Sequence, residues 1–346
     1  WVGARGAQEK LADCELQSGR RDKRHLDCGR LIMLGSVANN LFWMARYLER
    51  SENISRLLEM GIRRNLSERD NSAEVWEEIL SLLGQKGFYD NSGNNYEQRS
   101  VTNFILRDKE NTTSIWSLVN QSRKNARTVR GSLTREVWQA INDLWLYLQT
   151  ALKLPVGSND LPVILTKIQQ GNALVRGALE SSMLRNDIYN FLKAGTFIER
   201  GDNTARIIAA NYYLFLPSAI LVHEDKSVAK LETVLAAAGA MRAYKWLYKG
   251  NLDPGGIILF LVADKRTPRS LNYSYHELVA QLQALTSAYD TPFNSLTIAN
   301  KIKNAVDRNV TGTKRLGDLQ GFINGFVQQN SELSECIEKE FKFNRA

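Results

Sequence analysis

Two glutamates set 150 residues apart in the same local frame, Glu49 and Glu199, are the residues of this chain best placed to do chemistry. YLERSENISRLL at 47–58 aligns with FIERGDNTARII at 197–208, and Glu49/Glu199, Arg50/Arg200, Asn53/Asn203 and Arg56/Arg206 are identical. A carboxylate can take a proton, ligate a metal or hold a cation. An arginine grips carboxylates and phosphates through its planar fork. At about 100° per residue, Arg46, Glu49, Asn53 and Arg56 fall on one helical stripe. An apolar stripe of Trp43, Tyr47, Ile54 and Leu58 runs beside it. Thr196 stands where the second copy would repeat Arg46.

Glu49 and Arg56 lie roughly 10 Å apart along a helix axis, too far for a close pair within one helix. The expectation is therefore reciprocal pairing between copies, Glu49 with Arg206 and Glu199 with Arg56. Such a cluster has two readings. It is a buried ion network that orients the elements carrying it, or a polar groove that grips an anionic peptide or a carboxylate or phosphate compound. Use of either glutamate as a general base is disfavoured, because adjacent arginines lower a carboxyl pKa and a base needs one tuned towards neutrality.

Other chemistries find less support. Duplicated glutamates in a helical bundle hold a metal pair when Glu-x-x-His motifs join them. Neither Glu49 nor Glu199 is followed by such a histidine, and the histidines are His25, His223 and His276. No metal or cofactor is expected. There is no Gly-x-Ser-x-Gly elbow and no Walker loop. Cys336 is flanked by glutamates that disfavour its thiolate. Trp116, Trp138, Trp145 and Trp246 read as core.

The net charge of +8 is mild for 346 residues, and acids and bases are interspersed. The local cluster Arg123, Lys124, Arg127 and Arg130 reads as a solvated helix face, so no nucleic-acid partner is expected. No apolar run is long enough to cross a bilayer; the candidates at 212–222, broken by Pro217, and at 255–263 are too short. Residues 1–32 lack apolar periodicity and hold Cys14 and Cys28, and they read as a non-native or disordered leader before Met33. Cys336 alone then remains, which fits a reducing, cytoplasmic setting.

The elements that must position the glutamates are helices. Apolar residues recur at three and four, as in Val75, Ile79 and Leu82 or Val137, Ile141, Leu144 and Leu148. The stretch 85–99 reads as a long polar loop, 155–162 as the break between halves, and 250–256 as a turn. Residues 256–262 read as a short buried helix, and Ser132 as the N-cap of the helix bearing Trp138. A second match supports a repeat: FILRDKENTTSI at 104–115 aligns with FLVADKRTPRSL at 260–271, with Phe104/Phe260, Asp108/Asp264, Lys109/Lys265 and Ser114/Ser270 identical. The fold expected is all-α, a multi-helix bundle from an internal duplication with pseudo-two-fold symmetry and halves of about 33–155 and 162–346.

MLGSVANNLFWMARYLERSENISRLL from Met33, FILRDKENTTSIWSLVNQSRKNARTVRGSLTREVWQAINDLWLYL, SMLRNDIYNFLKAGTFIERGDNTARII and FLVADKRTPRSL together resemble the bacterial alpha-E domain proteins, over essentially all of 33–346. The resemblance implies one all-α domain with functional glutamates and arginines at Glu49, Arg50, Arg56, Glu199, Arg200 and Arg206. It also implies association with ATP-grasp peptide-ligase-like and transglutaminase-like proteins, and so with peptide synthesis or modification. Lys124, Thr196 and Ala45 depart from the usual pattern. Three functions follow as expectations: an accessory or substrate-binding partner of an ATP-grasp ligase, an enzyme of peptide modification using Glu49 or Glu199, or a structural scaffold.

Overall fold

A computed structural model describes residues 33, 35–67, 71–215, 225–311 and 319–343. The expected leader, with His25, Cys14 and Cys28, lies outside these residues, as do Pro217 and His223. Among the described residues there are fourteen α-helices and no strand. The chain is all-α, as its apolar periodicity predicts.

The helices are α1 (Gly35–Ser67), α2 (Ser72–Leu82), α3 (Lys86–Asp90), α4 (Gln98–Arg107), α5 (Ile115–Thr128), α6 (Arg135–Ala151) and α7 (Leu161–Ser182), followed by α8 (Asp187–Ala210), α9 (Asp225–Ala237), α10 (Met241–Leu247), α11 (Pro254–Ala263), α12 (Leu271–Tyr289), α13 (Asn294–Thr311) and α14 (Leu319–Glu340). The two Glu-Arg helices, α1 and α8, pack on each other at the centre. Around α1 lie α5 and α7, joined through α6; around α8 lie α12 and α14, joined through α13. No described helix is long and apolar enough to cross a membrane.

α1 is held by Leu41, Phe42, Met44, Leu48, Leu57 and Leu58, all buried. α8 is buried on nearly every side, with Phe191, Leu192, Phe197, Ile198, Ala205 and Ile208 in the core. It starts where Asn186 accepts a hydrogen bond from the Tyr189 backbone N–H, which satisfies one free donor of its first turn. Phe42 lies against Gly195, Arg46 against Glu199 and Glu49 against Arg200. Contacting positions thus advance together along both helices, so α1 and α8 run parallel and in register.

The segments matched in sequence adopt matching turns. Asp108 and Asp264 are both extended, at φ −63°, ψ 123° and φ −69°, ψ 122°. Ser114 and Ser270 each cap the next helix and donate a hydroxyl hydrogen bond back to the carbonyl of Asp108 or Asp264. α2 and α9 also end alike. Gly84 (φ 67°) and Gly239 (φ 66°) take the left-handed conformation that closes a helix C-terminus, with backbone bonds Gln85 N to Leu80 O and Ala240 N to Leu235 O.

Some local expectations are corrected. The stretch 85–99 is not one loop: α3 forms within it and α4 begins at Gln98. Tyr89 is the cause, since its buried ring packs edge-on against Phe104 and pins a helical turn in a polar string. Ser132 is not the cap of α6; it lies in a short 3-10 turn, and Thr134 caps through the Val137 N–H. Trp246 is 81% exposed rather than core, whereas Trp76 is fully buried. Residues 256–262 do form the short buried helix α11.

Candidate functional site

The parallel register of α1 and α8 decides which charges meet. Glu49 and Glu199 stand at the same level, so each faces the arginine that follows the other. Arg200 grips Glu49 through Nε and Nη2, both at 3.0 Å. Arg50 grips Glu199 through Nε at 2.5 Å and Nη2 at 2.9 Å. The pairing is reciprocal, but not through the expected partners. Arg206 and Arg56 lie six residues beyond Arg200 and Arg50, a rise of roughly 9 Å along their helices, and so sit well past the level of the opposing carboxylate. Each instead turns back one helical turn on its own helix, Arg206 to Asp202 at 2.6 Å and Arg56 to Glu52.

Each glutamate has a further arginine, and the two differ in origin. Glu199 accepts at 3.0 Å from Arg46, whose guanidinium lies 4.3 Å over the Trp43 ring and also donates to Ser334 Oγ at 2.6 Å. Thr196, in the matching place beside Glu49, has no such reach. Glu49 receives its second arginine from the turn before α12: Arg269 donates to Glu49, to Asn53 Oδ1 at 3.0 Å and to Glu52 at 3.2 Å. Glu52 is fully buried and is also held by Arg56 and by Arg176 of α7. Glu49, Glu52, Arg56, Arg176, Arg200 and Arg269 thus form one continuous network.

Burial alone would push the Glu49 carboxyl up, but Arg200 and Arg269 outweigh it and hold it below the ordinary carboxylate range. Glu199 is likewise held low, with Arg50 and Arg46 prevailing over burial. Burial would also lower Arg50 and Arg200, yet their glutamates raise both. Arg269 is the exception. Burial and the nearby Arg200 and Arg56 bring it down to about 10 despite Glu49 and Glu52. Both glutamates are therefore ionised and occupied by donors at neutral pH, which suits holding and opposes proton transfer.

The surroundings of the two glutamates are unequal. Glu49 is sealed. Beside Glu199 a cleft of about 230 Å³ is lined by Arg50, Asn53, Thr113, Asp202, Asn203 and Arg206, with Leu57 and Ile207 on its apolar side. Asn53 spans the two environments: its Oδ1 is taken by Arg269, while its Nδ2 is buried without a partner among the described residues. Among the predicted residues, Arg46, Glu49, Arg50, Asn53, Glu199 and Arg200 meet at the α1–α8 contact, Asn203 and Arg206 line the cleft, and Arg56 joins the sealed side. Sequence reasoning missed Arg269, Arg176 and Ser334, and also Glu52 and Asp202, which occupy like positions in the two copies. Arg269 had a signal, since it stands opposite Thr113 in the second matched segment. Arg176 and Ser334 had none.

Elsewhere the polar groups do local work. Arg123 is not merely solvated; it stacks 3.9 Å over the Trp145 ring and bonds Asn142. His276 faces Asp307 at 3.3 Å on the surface. The Cys336 thiol is pushed up by burial and by Glu340. No group of three or more metal-binding side chains occurs among the described residues.

Residues 33–341 match the Alpha-E family model, described as a predicted alpha-helical domain with a conserved ER motif. The chain has Glu-Arg at 49–50 and at 199–200, the two pairs that face each other here. It is 24% identical over 268 residues to uncharacterized proteins of Mycobacterium bovis and of a strain of Mycobacterium tuberculosis, and 23% identical to one of a second tuberculosis strain. Each alignment covers 72% of this chain and 30% of the relative, so the chain spans less than a third of the length of these relatives. No solved structure matches it significantly. By the match over nearly the whole of its helical part, the chain belongs to the Alpha-E family.

Proposed function

We propose that this chain is an accessory, substrate-holding partner in an ATP-grasp peptide or amide ligase system, and that the cleft beside Glu199 receives a peptide substrate. The observation that carries this reading is the inequality of the two glutamates. A purely structural network has no need of an open side, yet one lies against Glu199, Asp202 and Asn203. The ionised, arginine-paired state of both glutamates weighs against an enzyme that uses them as bases. The ligase and transglutaminase-like partners are those the family resemblance implies. In the mycobacterial relatives the matched region is less than a third of a longer polypeptide, which agrees with a domain that works beside others.

The sealed side supports a second, structural role for the other half of the cluster. Glu49, Glu52, Arg200 and Arg269 tie α1, α8 and the turn before α12 together, and so fix the α1–α8 register that shapes the cleft. The two halves, in this reading, descend from one ancestor and have diverged into a lock and a site.

The test is co-purification with an ATP-grasp ligase of the same genome, followed by assay of ligation. Asp202→Asn and Asn203→Ala should leave the fold and complex intact and slow ligation severalfold through a raised KM for the peptide. If the two proteins do not associate, or if both variants support ligation unchanged, the reading fails.

A further inference from the structure

Thr113 and Arg269 occupy the same position in the two matched turns, each one residue before the serine that caps the next helix. Arg269 reaches inward and its guanidinium touches Glu49, Glu52 and Asn53. The counterparts of these three residues are Glu199, Asp202 and Asn203. All three line the cleft, and so does Thr113. The space filled on one side by a guanidinium is, on the other, the place where threonine leaves an opening.

The oxygen left open by this difference can be named. Arg200 and Arg50 make equivalent bonds to Glu49 and Glu199, each through Nε to Oε1 and Nη2 to Oε2. Glu49 Oε1 accepts a second donor from Arg269. Among the described residues Glu199 Oε1 accepts only from Arg50, since Arg46 bonds Oε2. The charge backgrounds also agree. Arg269 sits among Glu49, Glu52 and the guanidiniums of Arg200, Arg56 and Arg176. The cleft is lined by Glu199, Asp202 and the guanidinium-bearing Arg50 and Arg206, with Arg46 paired to Glu199 from outside it. A guanidinium tolerated in the first setting meets the same balance in the second.

We propose that the cleft beside Glu199 binds the guanidinium of an arginine residue carried by a peptide, in the position that Arg269 fills beside Glu49. The ligand guanidinium donates to Glu199 Oε1, to Asn203 Oδ1 and to Asp202. At about 230 Å³ the cleft lies below the ~300–1,000 Å³ of pockets for drug-sized ligands, a size for one side chain rather than a whole cofactor. Asn53, whose buried Nδ2 has no hydrogen-bond partner among the described residues, borders the same cleft. The proposal rests on the reading of this cleft as a ligand site and names the class of ligand.

The experiment is calorimetric titration of the full chain with N-acetyl-L-arginine methylamide, its citrulline isostere, which has the shape without the charge, and N-acetyl-L-glutamate as an anionic probe. The arginine probe should bind saturably, and the citrulline probe at least about tenfold more weakly. Thr113→Arg should supply the missing guanidinium from within and abolish binding without lowering the melting temperature. Asn203→Ala, a milder change, should weaken binding by roughly fivefold and keeps the test decisive if Thr113→Arg does not fold. Equal binding of the arginine and citrulline probes, no binding of arginine, or full binding by both variants overturns the proposal. If the anionic probe alone binds and Thr113→Arg affects it, the cleft stays a ligand site but the guanidinium assignment falls. If no probe binds and the ligase does not co-purify, the functional reading falls with it.

Discussion

Gly195 lies so close to Phe42 that a Cβ on the glycine would stand 2.3 Å from the Phe42 carbonyl oxygen. The obstacle is backbone, which cannot swing aside. This contact sets the separation of α1 and α8 one turn before Glu199, and hence lets Arg50 and Arg200 close on the opposite glutamates. Gly195→Ala should force the helices apart and cost about 1–3 kcal/mol, the usual range for overpacking. Urea denaturation measures the loss. Because Ala favours a helix over Gly by up to about 1 kcal/mol, a neutral or stabilising outcome would mean that the helices are not held at this distance.

The two glutamates should differ in what they contribute to stability. Glu49→Gln leaves Arg200 without its carboxylate and Arg269 with Glu52 alone, in a region almost without solvent, since the side chain of Glu49 is 2% exposed and those of its arginines 9% and 10%. Removing one partner of a buried pair costs about 3–5 kcal/mol. Glu199→Gln should cost less, because the Arg50 side chain is 29% exposed and can turn to water. Parallel unfolding curves of the two variants check the order. Equal losses would show that the cleft gives Arg50 no relief.

Acid should weaken the fold through the same carboxylates. Both have folded-state pKa values below their ordinary 4.5. A group depressed in this way contributes stability that is complete above the unfolded value and is lost as the pH falls below it. Each adds at most about 1.4 kcal/mol of loss per pH unit. The urea midpoint should fall steeply from about pH 4.5 downwards, and Glu49→Gln should flatten that slope. A slope unchanged in the variant would place the acid sensitivity elsewhere.

Much of this architecture is legible in the residues themselves. The 3–4 periodicity gives helices, and the repeated Glu-Arg-x-x-Asn-x-x-Arg places Glu49 and Glu199 at one interface. What the strings do not carry is relative helix direction. A pairing of Glu49 with Arg206 requires α1 and α8 to oppose each other, whereas parallel packing favours Arg200, the neighbouring residue. The dependence on Arg269 is hidden for a related reason. Its role comes from a turn that carries residue 269 towards α1, 220 residues away in the chain, and no periodicity encodes that. Tyr89 shows the same limit on a smaller scale, because a single buried ring turns a polar string into a helix. The inequality between the narrow space of about 20 Å³ beside Glu49 and the cleft of about 230 Å³ beside Glu199 needs both structures of the turn side by side.

That inequality can be reversed by design. Arg269→Ala removes the guanidinium beside Glu49 and leaves Glu52 and Asn53 Oδ1 each short of a donor. The variant should lose about 3–5 kcal/mol, tempered by the fact that Arg269 itself is held charged at some expense, its pKa brought down to about 10. The vacated space should then accept an external guanidinium. Ethylguanidinium at millimolar concentration should raise the melting temperature of the variant by several degrees and that of the unaltered protein by less, because binding to the folded state stabilises it by mass action. Ethylammonium, a point charge without the planar fork, should rescue less. Differential scanning fluorimetry gives the comparison. Equal shifts with both cations, or in both proteins, would mean that the Arg269 position holds charge alone and does not recognise the shape of a guanidinium.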